Sequence, residues 1–268
     1  MQAELILFDI GNTSIKVVLA DRERTLFHYA LPTGASCTAD SLGITLTNLL
    51  AHARMNTAGI AACVASSVVP DFDPLLAEAV ERYTGKPLFF VPNDIAIPME
   101  NRYERPEEVG ADRLVGAYSA RRLFMETPSL IVVDFGTAVT LDCVEGQAYL
   151  GGLIFPGPAT ALSALTRDAA KLPRINLDIS EREPIIGRGT STSMRHGIVF
   201  GFASLVEGLV QKLKQQLRGP TKVLGAGGFA QSIARISPIF DMVVPPLIPE
   251  GLRRLYYESD MDTSKTDK

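Results

Sequence analysis

The sequence predicts an α/β protein built from two related halves. Apolar runs that end in glycine or turn residues alternate with segments of helical periodicity, which is typical of α/β folds. The pattern Asp-x-Gly occurs at residues 9–11 and again at 134–136, each time after an apolar strand and before a β-rich segment. Such a repeat indicates two halves of similar architecture, although two short matches are also compatible with coincidence.

Composition limits the class of protein. The chain has 268 residues, of which 46% are hydrophobic, enough for two domains of ordinary size. Its net charge is −4 and its pI about 5.5, so no basic field is present to hold nucleic acid, which we do not expect as a partner. No stretch approaches the roughly 20 apolar residues that span a bilayer. The N-terminus lacks a basic region followed by an apolar run, so we expect no membrane partner and a cytoplasmic protein.

The first half is predicted to open with a hairpin. Residues 5–8 and 16–20 have the composition of strands, and the second run is rich in β-branched residues. A Rossmann or P-loop site would require a helix after the glycine, so both are disfavoured. The elements expected next are a helix over 45–54, a strand over 59–69 and a helix that starts at Pro70 and runs to about Tyr83.

The second half repeats this alternation after an irregular segment over 98–113. A helix is expected from about Leu114, and strands over 129–133 and up to Cys143. The glycine- and proline-rich residues 151–157 predict a turn. The remaining expectations are a helix over 159–170, a polar loop over 173–189, a long amphipathic helix over 194–217, a strand over 222–224, a helix from about Phe229 and a frayed polar tail over 259–268.

The segment from Asp9 to Lys16 has the groups that a nucleotide phosphate site needs. Glycine lets the backbone approach a phosphate, hydroxyl and amide groups donate hydrogen bonds, and a carboxylate orients hydrated Mg²⁺. An ordinary hairpin is an equally good interpretation of Gly11 and Asn12, which favour turns. Lys16 could then simply face solvent from an exposed strand.

A second carboxylate, Asp134, directly follows an apolar strand. Such a group is costly to bury unless it meets a cation or hydrogen-bond donors, and Thr137 adds a hydroxyl nearby. The alternative is an Asx bond that caps the turn. Residues 225–228, Gly-Ala-Gly-Gly, form a third glycine turn, between a strand and a helix. This turn could face a phosphate or a nucleoside, or its glycines could merely allow the helix to pack closely on the sheet.

Asp112 and Arg113 lie where a loop is expected to enter a helix. Asp112 could accept a proton from an alcohol while Arg113 binds an anion. From the local sequence alone, a helix N-cap is the better interpretation of Asp112. The three cysteines are far apart and fit reduced core thiols, and the three histidines lack metal-ligand spacing.

Four motifs in this order resemble the type III pantothenate kinase family: Asp-x-Gly-Asn-Thr-Ser-x-Lys at 9–16, Gly-Ala-Asp-Arg at 110–113, Asp-Phe-Gly-Thr-Ala-Val-Thr at 134–140 and Gly-Gly-x-Ile-x-Pro-Gly at 151–157. Shorter matches at 66–70, 171–173, 187–190 and 250–252 extend the resemblance over nearly the whole chain. The resemblance implies a duplicated actin-like (ribonuclease H-like) fold, with mixed sheets flanked by helices. Its two domains would be 1–118 and 119–258, followed by the tail 259–268.

The resemblance also implies roles for individual residues. ATP with Mg²⁺ would be held by a block of residues and by Thr137, with Asp9 nearest the metal: Asp9, Ile10, Gly11, Asn12, Thr13, Ser14, Ile15 and Lys16. Asp134 would bind a monovalent cation, K⁺ or NH₄⁺. Asp112 would be the general base for pantothenate, whose other contacts would be Tyr103, Gly110, Ala111, Arg113 and Thr190. The family further implies a homodimer and 4′-phosphopantothenate, the first intermediate of coenzyme A synthesis, as product.

Three positions depart from the family pattern. Arg105 and Gly189 stand where asparagine is usual, and Ala226 replaces a threonine in the third glycine turn. None removes a proposed catalytic group, but contacts of the nucleotide near Ala226 are placed in doubt. The alternatives to pantothenate kinase are an actin-like kinase for another small acceptor and a regulatory homologue that binds ATP or pantothenate without turnover.

Overall fold

The computed structural model describes residues 3–34, 37–169, 171–244 and 246–259. Two compact units can be distinguished. Unit 1 contains the described residues of 1–98, 107–119 and 248–268, and unit 2 contains those of 99–106 and 120–247. Both units consist of a sheet and helices, so the α/β class predicted from the sequence is confirmed.

Five strands form the sheet of unit 1: β1 (Leu5–Ile10), β2 (Ser14–Ala20), β3 (Thr25–Pro32), β4 (Ala62–Ser67) and β5 (Leu88–Val91). Their order is β3-β2-β1-β4-β5. β1 is antiparallel to β2, which is antiparallel to β3, whereas β4 is parallel to both β1 and β5. The predicted N-terminal hairpin is therefore confirmed.

Six strands form the sheet of unit 2: β6 (Glu100–Asn101), β7 (Ser129–Phe135), β8 (Ala138–Glu145), β9 (Ala148–Pro156), β10 (Thr221–Gly227) and β11 (Met242–Val243). Their order is β11-β10-β7-β8-β9-β6. β7 is antiparallel to β8, which is antiparallel to β9, whereas β10 is parallel to both β7 and β11. Without β6, this is the strand order of unit 1 with β7 in the place of β1, so the two Asp-x-Gly segments belong to a repeated sheet.

The helices connect and cover these strands. Within the described residues they are α1 (Ala39–His52), α2 (Asp73–Thr84), α3 (Ala111–Leu123), α4 (Pro158–Asp168), α5 (Thr190–Lys214), α6 (Ala230–Ile236) and α7 (Leu247–Glu258). Short 3₁₀ helices occupy Thr57–Gly59, Pro70–Phe72 and Pro106–Glu108. No described helix has the length and apolar character needed to cross a membrane.

The two faces of β1 have different surroundings because strand side chains alternate. Ile6 and Phe8 belong to the core cluster that includes Leu46 of α1 and Leu76 of α2. Asp9 projects to the other face of the sheet. In unit 2 the corresponding core is formed by residues of β7, α5 and α6, such as Ile131, Val206 and Ile233.

The helix predicted over 45–54 begins earlier, at Ala39. Thr38 caps it: its hydroxyl accepts a hydrogen bond from the backbone N–H of Ser41 (3.2 Å), and Ser41 Oγ accepts one from the N–H of Thr38 (2.9 Å). This reciprocal pair stabilises a helix start even with serine in place of the usual glutamate. The expectation of a start at Thr45 was therefore wrong by more than one turn.

The expected turn over 151–157 was also wrong, because most of this segment belongs to strand β9. Glycine is normally unfavourable in a strand, and here two glycines serve close approaches. A Cβ on Gly152 would lie 1.8 Å from the carbonyl oxygen of Leu141 on β8, and one on Gly151, where φ is +113°, would lie 3.1 Å from the ring of Tyr103. The glycines therefore mark contacts of the strand with its neighbours.

Gly152→Ala is expected to lower the free energy of unfolding by about 2–3 kcal/mol, because the backbone of β8 or β9 has to move to admit the methyl group. The urea midpoint of the purified variant measures this. Gly208→Ala is the matched control in the same unit: it lies in α5 with open space around its Cα, so alanine is expected to raise stability by up to about 1 kcal/mol. A parental urea midpoint for Gly152→Ala would contradict the conclusion that β8 and β9 approach each other too closely at Gly152 to admit a side chain.

The other expectations can be compared briefly. No helix or strand occurs in the described residues between α4 and α5, as predicted for the polar loop. The described cysteines are free thiols, and burial raises the pKa of the Cys63 thiol to about 12. Domain limits of 1–118 and 119–258 stay a prediction, since the compact units are not contiguous in sequence. Of the predicted tail 259–268, only Ser259 lies within the described residues.

Candidate active site

The first hairpin places Asp9 opposite Lys16 in the register of β1 and β2. Asp9 is 6% exposed, and Lys16 Nζ lies 2.7 Å from its Oδ2. A buried carboxylate needs a partner of this kind, since desolvation without one is costly. Lys16 is therefore held at the carboxylate and does not simply face solvent.

The turn between these strands is supported by β3 and the residue after it. The N–H of Gly11 donates to the carbonyl of Ser14 (3.0 Å), while Asn12 and Thr13 are exposed at the tip. Thr33 holds the turn from the side: its hydroxyl donates to the carbonyl of Gly11 (2.7 Å) and its N–H to that of Thr13 (3.1 Å). Exposed backbone and hydroxyl groups on a fixed turn suit contacts with phosphate oxygens.

Strand β4 ends beside this carboxylate. Ser66 is paired with Asp9 in the parallel register, so the two side chains project from the same face of the sheet. Ser66 is 1% exposed, and its hydroxyl has no hydrogen-bond partner within the described part of the chain. An unsatisfied buried hydroxyl is unusual and marks a position where a water or a ligand can complete the bonding.

Asp112 lies at the start of α3, close to the end of β4. The helix begins at Ala111, so Asp112 is its second residue and the N-cap interpretation was wrong by two positions. Its Oδ1 accepts a hydrogen bond from the N–H of Arg113 (2.8 Å). A Cβ on Gly110 would lie 2.5 Å from that same Oδ1 and 3.3 Å from the side chain of Val68, which follows β4. Gly110 therefore lets the carboxylate turn back over the helix start.

The end of β1 and the start of α3 are linked through the same segment. The N–H of Val68 donates to the carbonyl of Ile10 (3.0 Å), and Val68 also faces Gly110. Asp9 and Asp112 thus lie at the same end of the unit 1 sheet, around the residues that follow β4. The half-buried Arg113 and the buried Ala111 belong to the same helix start.

The second hairpin, in unit 2, carries Asp134 and Thr137. Its turn is enclosed by the start of α4: the N–H of Gly157 donates to the carbonyl of Thr137 (2.9 Å), and Thr160 Oγ1 donates to the same oxygen (2.6 Å). A Cβ on Gly157 would lie 2.2 Å from the carbonyl oxygen of Gly136, so glycine is required there. The motif 151–157 thus ends by supporting the Asp134 turn.

Strand β10 brings the third glycine turn to Asp134. Ala226 is paired with Asp134 in the parallel register. Gly227 has φ of +83°, and a Cβ there would lie 2.3 Å from Asp134 Oδ1. The N–H of Gly228 donates to the carbonyl of Phe135 (3.1 Å). The backbone of β10 therefore approaches the half-buried carboxylate closely at Gly227.

The remaining predicted residues, Tyr103 and Thr190, also lie in unit 2. Tyr103 follows β6, and its N–H donates to Asn101 Oδ1 (3.1 Å). Its ring contacts Gly151, and its centroid lies 6.4 Å from that of Tyr149. Thr190 is exposed as the first residue of α5. Unit 1 therefore contains Asp9, Lys16 and Asp112, and unit 2 contains Asp134, Thr137, Tyr103 and Thr190.

Comparison with known proteins bears directly on this arrangement. Residues 5–212 match the family model described as type III pantothenate kinase. A type III pantothenate kinase of Desulfovibrio desulfuricans is 66% identical over 258 residues, covering 96% of this chain and 98% of the relative. One from Nitratidesulfovibrio vulgaris is 54% identical, covering 97% and 99%. The chain belongs to the type III pantothenate kinase family.

Solved structures agree on the fold of this pantothenate kinase family member. The activator of 2-hydroxyisocaproyl-CoA dehydratase from Clostridium difficile superposes with a TM-score of 0.54 at 13% identity, covering 98% of both chains. Component A of the (R)-2-hydroxyglutaryl-CoA dehydratase of Acidaminococcus fermentans gives 0.53 at 14% identity, covering 96% and 97%. At such identities the likeness concerns the fold alone, and the predicted duplicated actin-like fold is confirmed.

Among the described residues, no group of three or more His, Cys, Asp or Glu side chains could hold a metal ion. In kinase sites, Mg²⁺ is commonly held by one or two carboxylates together with substrate phosphates and water. Asp9 in the first hairpin and Ser66 beside it in β4 offer hard oxygen atoms of the kind that Mg²⁺ prefers.

Several residues that shape this site were not singled out from the sequence. Ser66 was noted only as part of a family match, and Thr33, Thr160 and Tyr149 were not noted at all. Each acts through a strand pairing or a loop contact between distant parts of the chain. The one available signal was the Ser66-Ser67 pair at the end of an apolar strand, where hydroxyl groups are out of place in a core.

Proposed function

We propose that this protein transfers the γ-phosphoryl group of ATP to the primary hydroxyl of pantothenate, yielding 4′-phosphopantothenate and ADP, with Asp112 as general base. The observation that carries the proposal is the 66% identity to a type III pantothenate kinase over nearly the whole of both chains. The two carboxylate-bearing hairpins and the aspartate at a helix start supply the groups that such a transfer needs. Phosphoryl transfer depends mainly on positioning and charge neutralisation.

On the ATP side, the proposed contacts are those of the first hairpin. The exposed turn at Asn12 and Thr13 would donate to phosphate oxygens, and Lys16 would add a positive charge. Asp9 would hold Mg²⁺ through its hydration shell, and the metal when bound neutralises charge on the phosphates. The 2.7 Å pair of Asp9 and Lys16 keeps both charges in place before ATP arrives, which reduces the reorganisation needed on binding.

On the acceptor side, Asp112 would take the proton of the pantothenate hydroxyl. Its carboxylate accepts the N–H of Arg113 and lies in the first turn of α3, where backbone N–H groups and the helix dipole stabilise a negative charge. Only the ionised form can accept a proton, so this environment suits a base. Gly110, Ala111 and Arg113 would line the same pocket, with Tyr103 and Thr190 supplying further contacts.

Asp134 is proposed to bind the monovalent cation, K⁺ or NH₄⁺. The comparison of the two hairpins supports this. Opposite Asp9 the register places Lys16, whereas opposite Asp134 it places the neutral Thr140. A half-buried carboxylate at the end of an apolar strand, closely approached by the backbone at Gly227, is a suitable ligand for a large monovalent cation.

Activation by potassium is expected to be weakened in Asp134→Ala. The rate is measured against KCl concentration at constant ionic strength, with choline chloride as the balancing salt. The substitution removes the charged ligand, so the K⁺ concentration that gives half-maximal activation is expected to rise roughly tenfold. This rise corresponds to a loss of about 1.4 kcal/mol of binding free energy. Asp178→Ala, in the exposed loop before α5, is the control and should respond as the parent does. An unchanged K⁺ response of Asp134→Ala would exclude this role.

A coupled assay of ADP release tests the proposed function itself. ADP release that requires pantothenate, together with a product of the mass of phosphopantothenate, is the expected result. Release with a sugar or a small carboxylic acid, but not with pantothenate, would indicate an actin-like kinase for another acceptor. Binding of ATP or pantothenate without any release would indicate a regulatory homologue.

We further propose a cytoplasmic homodimer with neither nucleic acid nor membrane among its partners. The requirement for ATP supports the location, and the net charge of −4 opposes binding to a polyphosphate backbone. The homodimer follows from resemblance to the family.

A further inference from the structure

A buried carboxylate in unit 2 lies outside all the motifs described above. Asp142, in strand β8, is 2% exposed. Its Oδ1 accepts a hydrogen bond from the hydroxyl of Tyr149 (2.8 Å), and its Oδ2 accepts one from Thr140 Oγ1 (2.9 Å). A carboxylate buried in a strand costs stability, and both of its oxygens are used to hold neighbouring side chains.

Tyr149 is fixed along its whole length by this arrangement. The residue is fully buried, its hydroxyl is held by Asp142, and its carbonyl accepts the N–H of Arg102 (2.9 Å). It is also the register partner of Asn101 in the pairing of β9 with β6. Tyr149 therefore anchors the segment 99–106 to the sheet through both its backbone and its side chain.

Tyr103 lies on this anchor. Its ring centroid is 6.4 Å from that of Tyr149 with an interplanar angle of 42°, a favourable tilted contact. The ring also approaches Gly151 closely, since a Cβ there would lie 3.1 Å away. The N–H of Tyr103 donates to Asn101 Oδ1 (3.1 Å). The half-buried residue is thus held by contacts with Tyr149, Gly151 and Asn101.

We propose that Asp142 and Tyr149 are positioning residues that hold the ring of Tyr103 in place to bind the acceptor, pantothenate. The Asp142 carboxylate holds the Tyr149 hydroxyl, and the ring of Tyr149 in turn contacts the ring of Tyr103. Without the carboxylate, the Tyr149 hydroxyl would be buried without its acceptor, and the ring would shift toward other partners. The proposal rests on the proposed function, in which Tyr103 contacts pantothenate.

Steady-state kinetics of Tyr149→Phe and Asp142→Asn test the proposal. The first keeps the ring and removes the hydroxyl, and the second keeps the shape and removes the charge. Loss of one buried hydrogen bond to a charged group is expected to raise KM for pantothenate about five- to tenfold. The KM for ATP should not change in Tyr149→Phe, because its hydroxyl bonds to Asp142 whereas the proposed ATP contacts lie chiefly on the hairpin of β1 and β2. A parental KM for pantothenate in both variants would overturn the proposal.

Tyr118→Phe is the matched control. The Tyr118 hydroxyl also donates to a carboxylate, that of Glu258 (2.7 Å), but within unit 1. Its loss is expected to lower thermal stability like that of Tyr149→Phe while leaving KM for pantothenate at the parental value. A comparable rise in KM in this control would show that the effect is general destabilisation, and would overturn the proposal.

A double substitution tests whether the effect passes through Tyr103. In a Tyr103→Ala background, Tyr149→Phe is expected to cause no further rise in KM, because the ring that it positions is absent. Full additivity of the two changes would overturn the proposal.

Hydrogen exchange provides a readout that does not need turnover. Tyr149→Phe should speed amide exchange in residues 99–106, and the Tyr118→Phe control should not. Unchanged exchange in Tyr149→Phe would overturn the positioning role. If the parent enzyme itself does not phosphorylate pantothenate, the proposed function fails, and the exchange result still decides whether Asp142 and Tyr149 hold the Tyr103 segment.

Discussion

Asp112→Asn is expected to lower kcat by about 10²–10⁴-fold, the range that a positioned general base contributes. Asparagine keeps the shape of the side chain and an oxygen that can accept the N–H of Arg113, which Asp112 binds at 2.8 Å. The start of α3 should therefore remain folded, and only the proton acceptor is lost. Single-turnover kinetics with saturating pantothenate measure the effect.

The same variant should bind ATP as the parent does, because the proposed ATP contacts lie on the hairpin of β1 and β2. Calorimetric titration with a non-hydrolysable ATP analogue checks this. Asp71→Asn is the control: it also lies in the first turn of a helix in unit 1, but is exposed, and should keep parental turnover. Near-parental turnover of Asp112→Asn would exclude Asp112 as the base.

Asp9→Asn is expected to lower kcat/KM for ATP about 100-fold or more and to raise the Mg²⁺ concentration needed for half-maximal rate. The carboxylate is 6% exposed and paired with Lys16 at 2.7 Å, so the substitution removes the charge that we propose to lie beside Mg²⁺ and also releases the lysine. The rate measured over a series of Mg²⁺ concentrations at fixed ATP separates this effect from loss of ATP affinity alone.

Asp21→Asn serves as the control for Asp9. It follows the other end of β2, where its Oδ1 accepts the N–H groups of Glu23 and Arg24 in a turn (2.8 Å each). An amide oxygen can accept the same bonds, so activity and Mg²⁺ dependence should remain parental. If Asp9→Asn has the parental Mg²⁺ dependence, Asp9 is not near the metal.

The parts of the fold that could be predicted from sequence are those determined locally. Both Asp-x-Gly hairpins were predicted, since an apolar run, a glycine turn and a second β-rich run are adjacent in sequence. The long helix α5 was predicted in the same way from its periodicity, with its start four residues too late.

Elements determined by contacts between distant segments were missed. Strand β9 was predicted as a turn because glycine usually indicates one. Its glycines are in fact required by close contacts with Leu141 and Tyr103, which no local sequence pattern reveals. Helix α7 was missed too, and its Gly251 is likewise explained by a distant contact. A Cβ there would lie 2.7 Å from the side chain of Val115 in α3. Glycine disfavours a helix on propensity alone, and packing overrides that preference here.

The site shows the same division. Asp9, Lys16 and Asp134 could be proposed from motifs, whereas the neighbours that complete their surroundings, Ser66 and Gly227, are set by strand register. The partnership of Asp142 with Tyr149 depends in addition on a register shift between Cys143 and Val144. Irregularities of this kind have no signature in a single sequence.

The two hairpins differ in one further respect, the length of their turns. The N–H of Gly11 bonds across Asn12 and Thr13 to Ser14, whereas that of Gly136 bonds across Thr137 alone to Ala138. The shorter turn leaves the pairing of equivalent positions unchanged, since Ile10 faces Ile15 and Phe135 faces Val139, so the aspartate of the second copy faces Thr140 where that of the first faces Lys16. The two copies thus tolerate turns of different length without a change of register, and the charge facing the aspartate differs because threonine occupies the strand position of the lysine.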